Sequence, residues 1–134
     1  MAEHSGDLLQ VELVAADRLV WSGQATMVIA RTTEGDVGIL PNHAPLLSSI
    51  IEGVVDVRTA EGETWVAAVD AGFLSVADNR VSILSEHAEM SHEIDLEKAR
   101  EELERCRQAG ENDDAAQEAV RRAEARIRAA ERAS

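Results

Sequence analysis

The chain has 134 residues, a mass of 14.5 kDa, 45% hydrophobic residues and a mean hydropathy of −0.20, the proportions of one domain or a domain with an appendage. Its formal net charge of −13 argues against a nucleic-acid backbone or an anionic membrane surface as the main partner. A single Cys106 excludes an internal disulfide, and no apolar run approaches the roughly 18 residues of a membrane span, so any membrane association is expected to go through another protein.

The N-terminal residues Met1-Ala2-Glu3-His4 read as neither a signal nor a transit peptide. Leu9, Val11 and Leu13 then alternate with Gln10 and Glu12, the period of a half-buried strand. Met27–Ala30 and Trp65–Val69 are short continuous apolar runs of the kind found in sandwich interiors, and Val54–Val57 and Val81–Leu84 are β-branched and short. Turn signals at Ala16-Asp17, Ser22-Gly23, Glu34-Gly35, Glu61-Gly62-Glu63 and Ala77-Asp78-Asn79 separate these runs. Such spacing predicts an all-β sandwich or barrel over residues 1–90. With one Phe and no Tyr, aliphatic residues must fill the core, and Trp21 and Trp65 are expected to pack rather than to bind a ligand.

Both prolines of the chain bracket Asn42-His43-Ala44. Pro41 and Pro45 fix φ and push their predecessors toward extended conformations, while Gly35 and Gly38 stand where a tight turn wants positive φ. The expected product is a stiff apolar turn carrying Ile39, Leu40, Leu46 and Leu47.

Composition changes near residue 92. Residues 1–92 hold 14 Asp/Glu against 4 Arg and no Lys, whereas residues 93–134 hold 12 acids against 8 Arg and 1 Lys. From Asp95, a candidate N-cap, Leu96, Ala99, Leu103 and Cys106 follow one face of a helix. Gly110 ends it, Glu111-Asn112-Asp113-Asp114 turns, and a second helix over about 115–132 aligns Ala116, Ala119, Val120, Ala123, Ile127 and Ala130, with Arg121, Arg122, Arg126 and Arg128 on its remaining face. The predicted fold class is therefore α+β, an N-terminal antiparallel β-sandwich followed by an antiparallel two-helix hairpin over residues 91–134. So thinly apolar a hairpin must depend on what it packs against, and so has two plausible homes, its own sandwich or a partner.

Gly35-Asp36-Val37-Gly38-Ile39-Leu40-Pro41-Asn42-His43-Ala44-Pro45-Leu46-Leu47-Ser48-Ser49-Ile50 resembles the signature of the epsilon subunit of F-type ATP synthases. Val20–Ala25, Ala68–Val76 (with Ala71 where most members have Gly) and Ile94–Ala99 resemble further family segments in the right order. The resemblance implies a non-catalytic rotor subunit, peripheral on the cytoplasmic face of a bacterial plasma membrane. In that role it joins the gamma subunit to the c-ring for proton-driven synthesis, and its raised hairpin meets the catalytic β subunits and restrains ATP hydrolysis. It further implies that Glu34, Leu40, Asn42, His43 and Ala44 face the c-ring and gamma, and that no homo-oligomer forms.

Some bacterial members bind ATP as a regulator through an Ile/Leu-Asp-x-x-Arg-Ala segment and second-helix arginines. Here Ile94, Asp95, Ala99, Arg122 and Arg126 match and Lys98 replaces the first arginine, losing its bidentate fork. The competing reading of the arginine face is a solvated surface with pairs such as Glu118–Arg122 and Arg128–Glu131. No nucleophile motif or Gly-rich phosphate loop occurs, and His87 and His92 lack a third clustered metal ligand. A free-standing sandwich module with a dimerising helical tail, or a soluble ATP sensor, is the alternative.

Overall fold

The computed structural model describes residues 7–108 and 114–133. Nine strands come first: β1 (Leu9–Ala15), β2 (Arg18–Thr32), β3 (Gly35–Ile39), β4 (Leu46–Ile50), β5 (Gly53–Thr59), β6 (Thr64–Val69), β7 (Gly72–Ala77), β8 (Arg80–Ser85) and β9 (Ala88–Met90). A 3-10 turn, Ser91–Glu93, leads to helices α1 (Leu96–Gln108) and α2 (Asp114–Ala133). The expected helix end at Gly110 and the turn 111–113 lie outside the described residues.

The strands follow the order β1-β8-β7-β4-β2-β5-β6-β9, with β3 on β2 and β1 also paired to β2. Among the described pairings only β1–β8 is parallel; the rest are antiparallel, as expected of this sandwich. At fifteen residues β2 is long enough to serve two layers: its first half pairs with β1 and its second half with β3 and β5. One layer is thus β4, β7, β8 and β1, the other β3, β5, β6 and β9. Leu9, Val11, Leu13 and Ala15 of β1, Leu74 and Val76 of β7, Val81 and Ile83 of β8, and Val55 and Val57 of β5 fill the core between them.

Ser22-Gly23 is not the turn its composition suggests; β2 runs straight through it. Gly23 serves packing instead, since a Cβ there would lie 2.9 Å from the Trp21 ring. Trp21 and Trp65 are partly buried against the core, in the packing role expected of them. The continuous apolar runs of β5 and β6 have a different cause from sandwich burial alone. Ala67 and Val69 face the core, but Val66 and Ala68 face the helices, where they meet Ile94, Ala99 and Ala129. Both faces of these strands are covered, so alternation disappears. Helix α2 lies on β5 and β6, and α1 lies on α2.

Asp95 caps α1 as expected, its Oδ1 accepting the Lys98 N–H at 3.1 Å. The buried arc of α2 is wider than one stripe: Ala123, Ala125 and Ala129 are fully enclosed because the helix is covered from two sides, while Val120 and Ile127 are half-buried.

Candidate functional site

Leu40-Pro41-Asn42-His43 forms a type II turn, with the His43 N–H donating to the Leu40 carbonyl at 3.1 Å and Asn42 at φ 71°. Gly35 has the positive φ expected of it, at 116°, but Gly38 sits inside β3 without one, and the positive φ of the turn itself falls on Asn42. The turn is clasped to the β7–β8 hairpin. The Asn42 N–H donates to Asn79 Oδ1 at 2.5 Å, Asn79 Nδ2 returns a bond to Asn42 Oδ1 at 3.3 Å, and Asn42 Nδ2 reaches Asp7 at 3.1 Å. Asp78 and Asn79 are themselves at φ 52° and 61°, the left-handed pair of a two-residue hairpin turn. His43 donates from Nδ1 to the Ala44 carbonyl at 2.6 Å. Ile39 is fully buried and anchors the turn, whereas Leu40 and Leu47 are 55% and 74% exposed.

Glu34 does not join this group. It lies in the β2–β3 turn, its N–H bonded to Thr32 Oγ1 at 3.1 Å, at the opposite end of β3. At ~3.3 Å per residue, six residues of near-extended chain put roughly 20 Å between Glu34 and Leu40. The five residues therefore mark two ends of one strand.

A second surface was not visible in the sequence. Phe73 pairs with Leu84, Leu84 with Val14, and Val14 with Leu19, so these four form one row across β7, β8, β1 and β2 on the outer face. Phe73, Leu84 and Leu19 are 56%, 50% and 54% exposed. The next row, Leu47–Ser75–Ser82–Glu12–Ser22, is polar apart from Leu47. The outer face thus carries an open apolar row beside a mainly polar one.

The arginine face of α2 is mainly a docking face, contrary to the solvated reading. Arg121 meets Glu52 at 2.8 Å, Arg122 meets Asp70 at 2.8 Å, Arg126 meets Glu89 at 2.7 Å and Arg132 meets Asp56 at 2.7 Å. Glu52, Asp70 and Asp56 side chains are each less than 10% exposed. The Asp70 N–H is held by Ser85 Oγ at 2.9 Å, which sets the carboxylate under α2. The Glu52 carboxylate, hydrogen-bonded to Arg121, raises that guanidinium's pKa further. Of the two local pairs expected on this face, Glu118–Arg122 forms at 3.0 Å, whereas Glu131 meets Arg100 of α1 at 3.0 Å rather than Arg128.

Arg122 and Arg126 line a cleft of about 370 Å³ with Arg18, His87, Glu89 and Glu102. The other residues expected at a nucleotide site are not among its lining, although Lys98 and Ala99 precede the lining residue Glu102 by one turn of α1. Ile94 and Ala99 are in the helix–sandwich core, Asp95 caps α1, and Lys98 is exposed. His92 packs edge-on against Trp65, with ring centroids 5.7 Å apart.

At the root of the hairpin, Arg18 grips Glu93 with both terminal nitrogens, at 3.1 and 3.3 Å, while Glu93 accepts the Met90 N–H at 2.9 Å. The guanidinium first, then the amide, hold the Glu93 carboxyl below the ordinary carboxylate range.

The family model described as the ATP synthase delta/epsilon chain β-sandwich domain matches residues 8–91. The ATP synthase epsilon chain of Streptomyces avermitilis is 56% identical over 121 residues, covering 90% of this chain and 94% of that one. The epsilon chain of Rhodococcus jostii is 49% identical over 126 residues, covering 93% and 98%. Among solved structures, a chain of the Euglena gracilis mitochondrial ATP synthase OSCP/F1/c-ring assembly matches with a TM-score of 0.71 and 24% identity, over 93% of this chain and 78% of that one. A chain of the Tetrahymena thermophila central stalk/c-ring structure matches at a TM-score of 0.56 and 16% identity, over 93% and 95%. These last two share the fold. From the matched sandwich and the near-full-length relatives together, the chain belongs to the ATP synthase epsilon chains, a non-catalytic subunit of that complex.

Proposed function

We propose that this epsilon chain is a rotor adaptor: its outer sandwich face binds the gamma subunit, its Pro41–Pro45 end rests on the c-ring, and its hairpin restrains ATP hydrolysis when it leaves the sandwich for the β subunits. The observation that carries this reading is the open row Leu19–Val14–Leu84–Phe73. It lies on the layer opposite the helices, so it is available while the hairpin is docked. The clasped turn suits a load-bearing end, because prolines and the Asn42–Asn79 bonds leave it few conformations. The complementary charges of α2 and the sandwich make the docked hairpin a reversible resting state, held mainly by ion pairs and alanines rather than by a large apolar core. The work takes place at the cytoplasmic side of the membrane-bound complex, reached through the c-ring; no helix among the described residues is long and apolar enough to cross a membrane.

The test is capture of gamma by the full chain. Phe73→Asp and Leu84→Asp, both at exposed positions, should each weaken binding by about 30-fold or more, the effect of losing roughly 2 kcal/mol at an interface centre. Leu40→Asp and His43→Ala should leave gamma binding intact and weaken retention on the c-ring. Undiminished gamma binding by both aspartate variants would remove the assignment of this face. For ATP, Arg122 and Arg126 are the residues to test, and any nucleotide there competes with Asp70 and Glu89 for them.

A further inference from the structure

A separate cleft of about 340 Å³ opens between β2, the start of β5 and the C-terminal half of α2, lined by Arg31, Asp36, Gly53, Val54, Arg128 and Arg132. Three guanidinium groups gather there on a chain of net charge −13. Two are in one ion pair each. Arg31 gives its Nε to Asp36 at 3.1 Å, and Arg132 gives Nη2 to Asp56 at 2.7 Å, each through a single bond. A guanidinium has five N–H donors, so most of theirs remain unused. Arg128 is exposed and, among the described residues, has no carboxylate partner, unlike Arg121, Arg122, Arg126 and Arg132 of the same helix.

This grouping carries an electrostatic cost. Arg128 and Arg132 are four residues apart on α2, a spacing at which like charges repel. Arg31 brings a third cation across from the sandwich, against two carboxylates. Gly53 lines the cleft without a side chain of its own, beside the Arg31 stem. Arginine rather than lysine at all three positions supplies planar forks suited to tetrahedral oxyanions.

We propose that Arg31, Arg128 and Arg132 form a binding site for a soluble phosphate-class anion. The site is distinct from the cleft of Arg122 and Arg126, and it spans the sandwich and the hairpin. Its occupant neutralises the excess cation and bridges β2 to α2, so it favours the docked hairpin by mass action.

The experiment uses the full chain, ¹⁵N-labelled, titrated with inorganic phosphate against sodium chloride at matched ionic strength. Phosphate alone should give saturable shifts at the Gly53 and Val54 amides and at the Nε–H signals of Arg31, Arg128 and Arg132. Arg128→Ala, at an exposed and unpaired position, should weaken the apparent affinity at least tenfold. Arg128→Lys should fall between the two, and Arg105→Ala, on the exposed side of α1, should match wild type. The proposal is overturned by shifts that chloride reproduces, by shifts that do not saturate, by an unchanged midpoint in Arg128→Ala, or by shifts centred on His87 and Glu89 instead. The readout is on the isolated chain, so any of these leaves the gamma-binding assignment untouched.

Discussion

Gly72 stands where β7 comes closest to its neighbour: a Cβ built there would lie 1.8 Å from the Leu84 carbonyl oxygen and 2.9 Å from Ser85 Cα. Backbone cannot yield as a flexible side chain does. Gly72→Ala should therefore cost about 3 kcal/mol or more, at or above the usual range for overpacking, read from the urea midpoint of the full chain. Nothing local in Ala71-Gly72-Phe73 announces this, because the obstructing atom belongs to a strand a dozen residues on. Asn42 was partly legible, as a turn residue between two prolines, but its bonds to Asn79 join segments 37 residues apart. Glu93 offers a pH test. Its folded pKa is depressed by Arg18, so the stabilisation it gives is complete above its unfolded value of about 4.3 and is lost as pH falls from there through the folded value. The Glu93 carboxyl ¹³C titration in wild type should have its midpoint below the ordinary range, and Arg18→Ala should move it upward. No upward movement would show that the fork is not the cause.

At the scale of elements, the helices and most strands could be placed from periodicity, and the thin apolar stripe of the hairpin pointed to its dependence on a partner surface. What that surface was made of could not be read. Arg121, Arg122, Arg126 and Arg132 find acids 69, 52, 37 and 76 residues away, a correspondence that no local pattern encodes. Nor does strand composition reveal that β1 runs parallel to β8, which depends on where the chain re-enters the sheet. Removing Arg132 leaves Asp56, already carrying one buried oxygen without a partner, with neither oxygen paired. Breaking a fully buried pair costs about 3–5 kcal/mol; because Arg132 is half-exposed, Arg132→Ala should cost roughly 1–2 kcal/mol, expressed as local release of α2. Hydrogen exchange should then accelerate in α2 while β1 and β8 amides keep their protection. Uniform acceleration would mean that the pair supports the whole fold. Raising sodium chloride toward 1 M should act in the same direction on the exposed pairs, Arg100–Glu131 and Arg107–Glu124, but more weakly on those with buried acids.

The whole molecule is layered: helices, one sheet layer, core, second sheet layer, open apolar row. Opposite surfaces with a core between them should behave independently, so variants such as Arg122→Ala and Arg132→Ala should change gamma affinity by less than about twofold, the additivity expected of distant sites. A larger effect in a binding titration would show that hairpin docking and the outer face are coupled. The family block at residues 35–50 pointed to one interaction end, whereas the row of Leu19, Val14, Leu84 and Phe73 exists only once four strands are in register.

Strand β2 belongs to both layers, and β1 pairs with β2 as well as β8. In a sandwich of two separate sheets, sliding one across the other disturbs only side-chain contacts. Here the same displacement would have to tear main-chain ladder bonds along a fifteen-residue strand. A sideways force on the outer face thus reaches the opposite layer through covalent backbone, and the body resists shear as one piece.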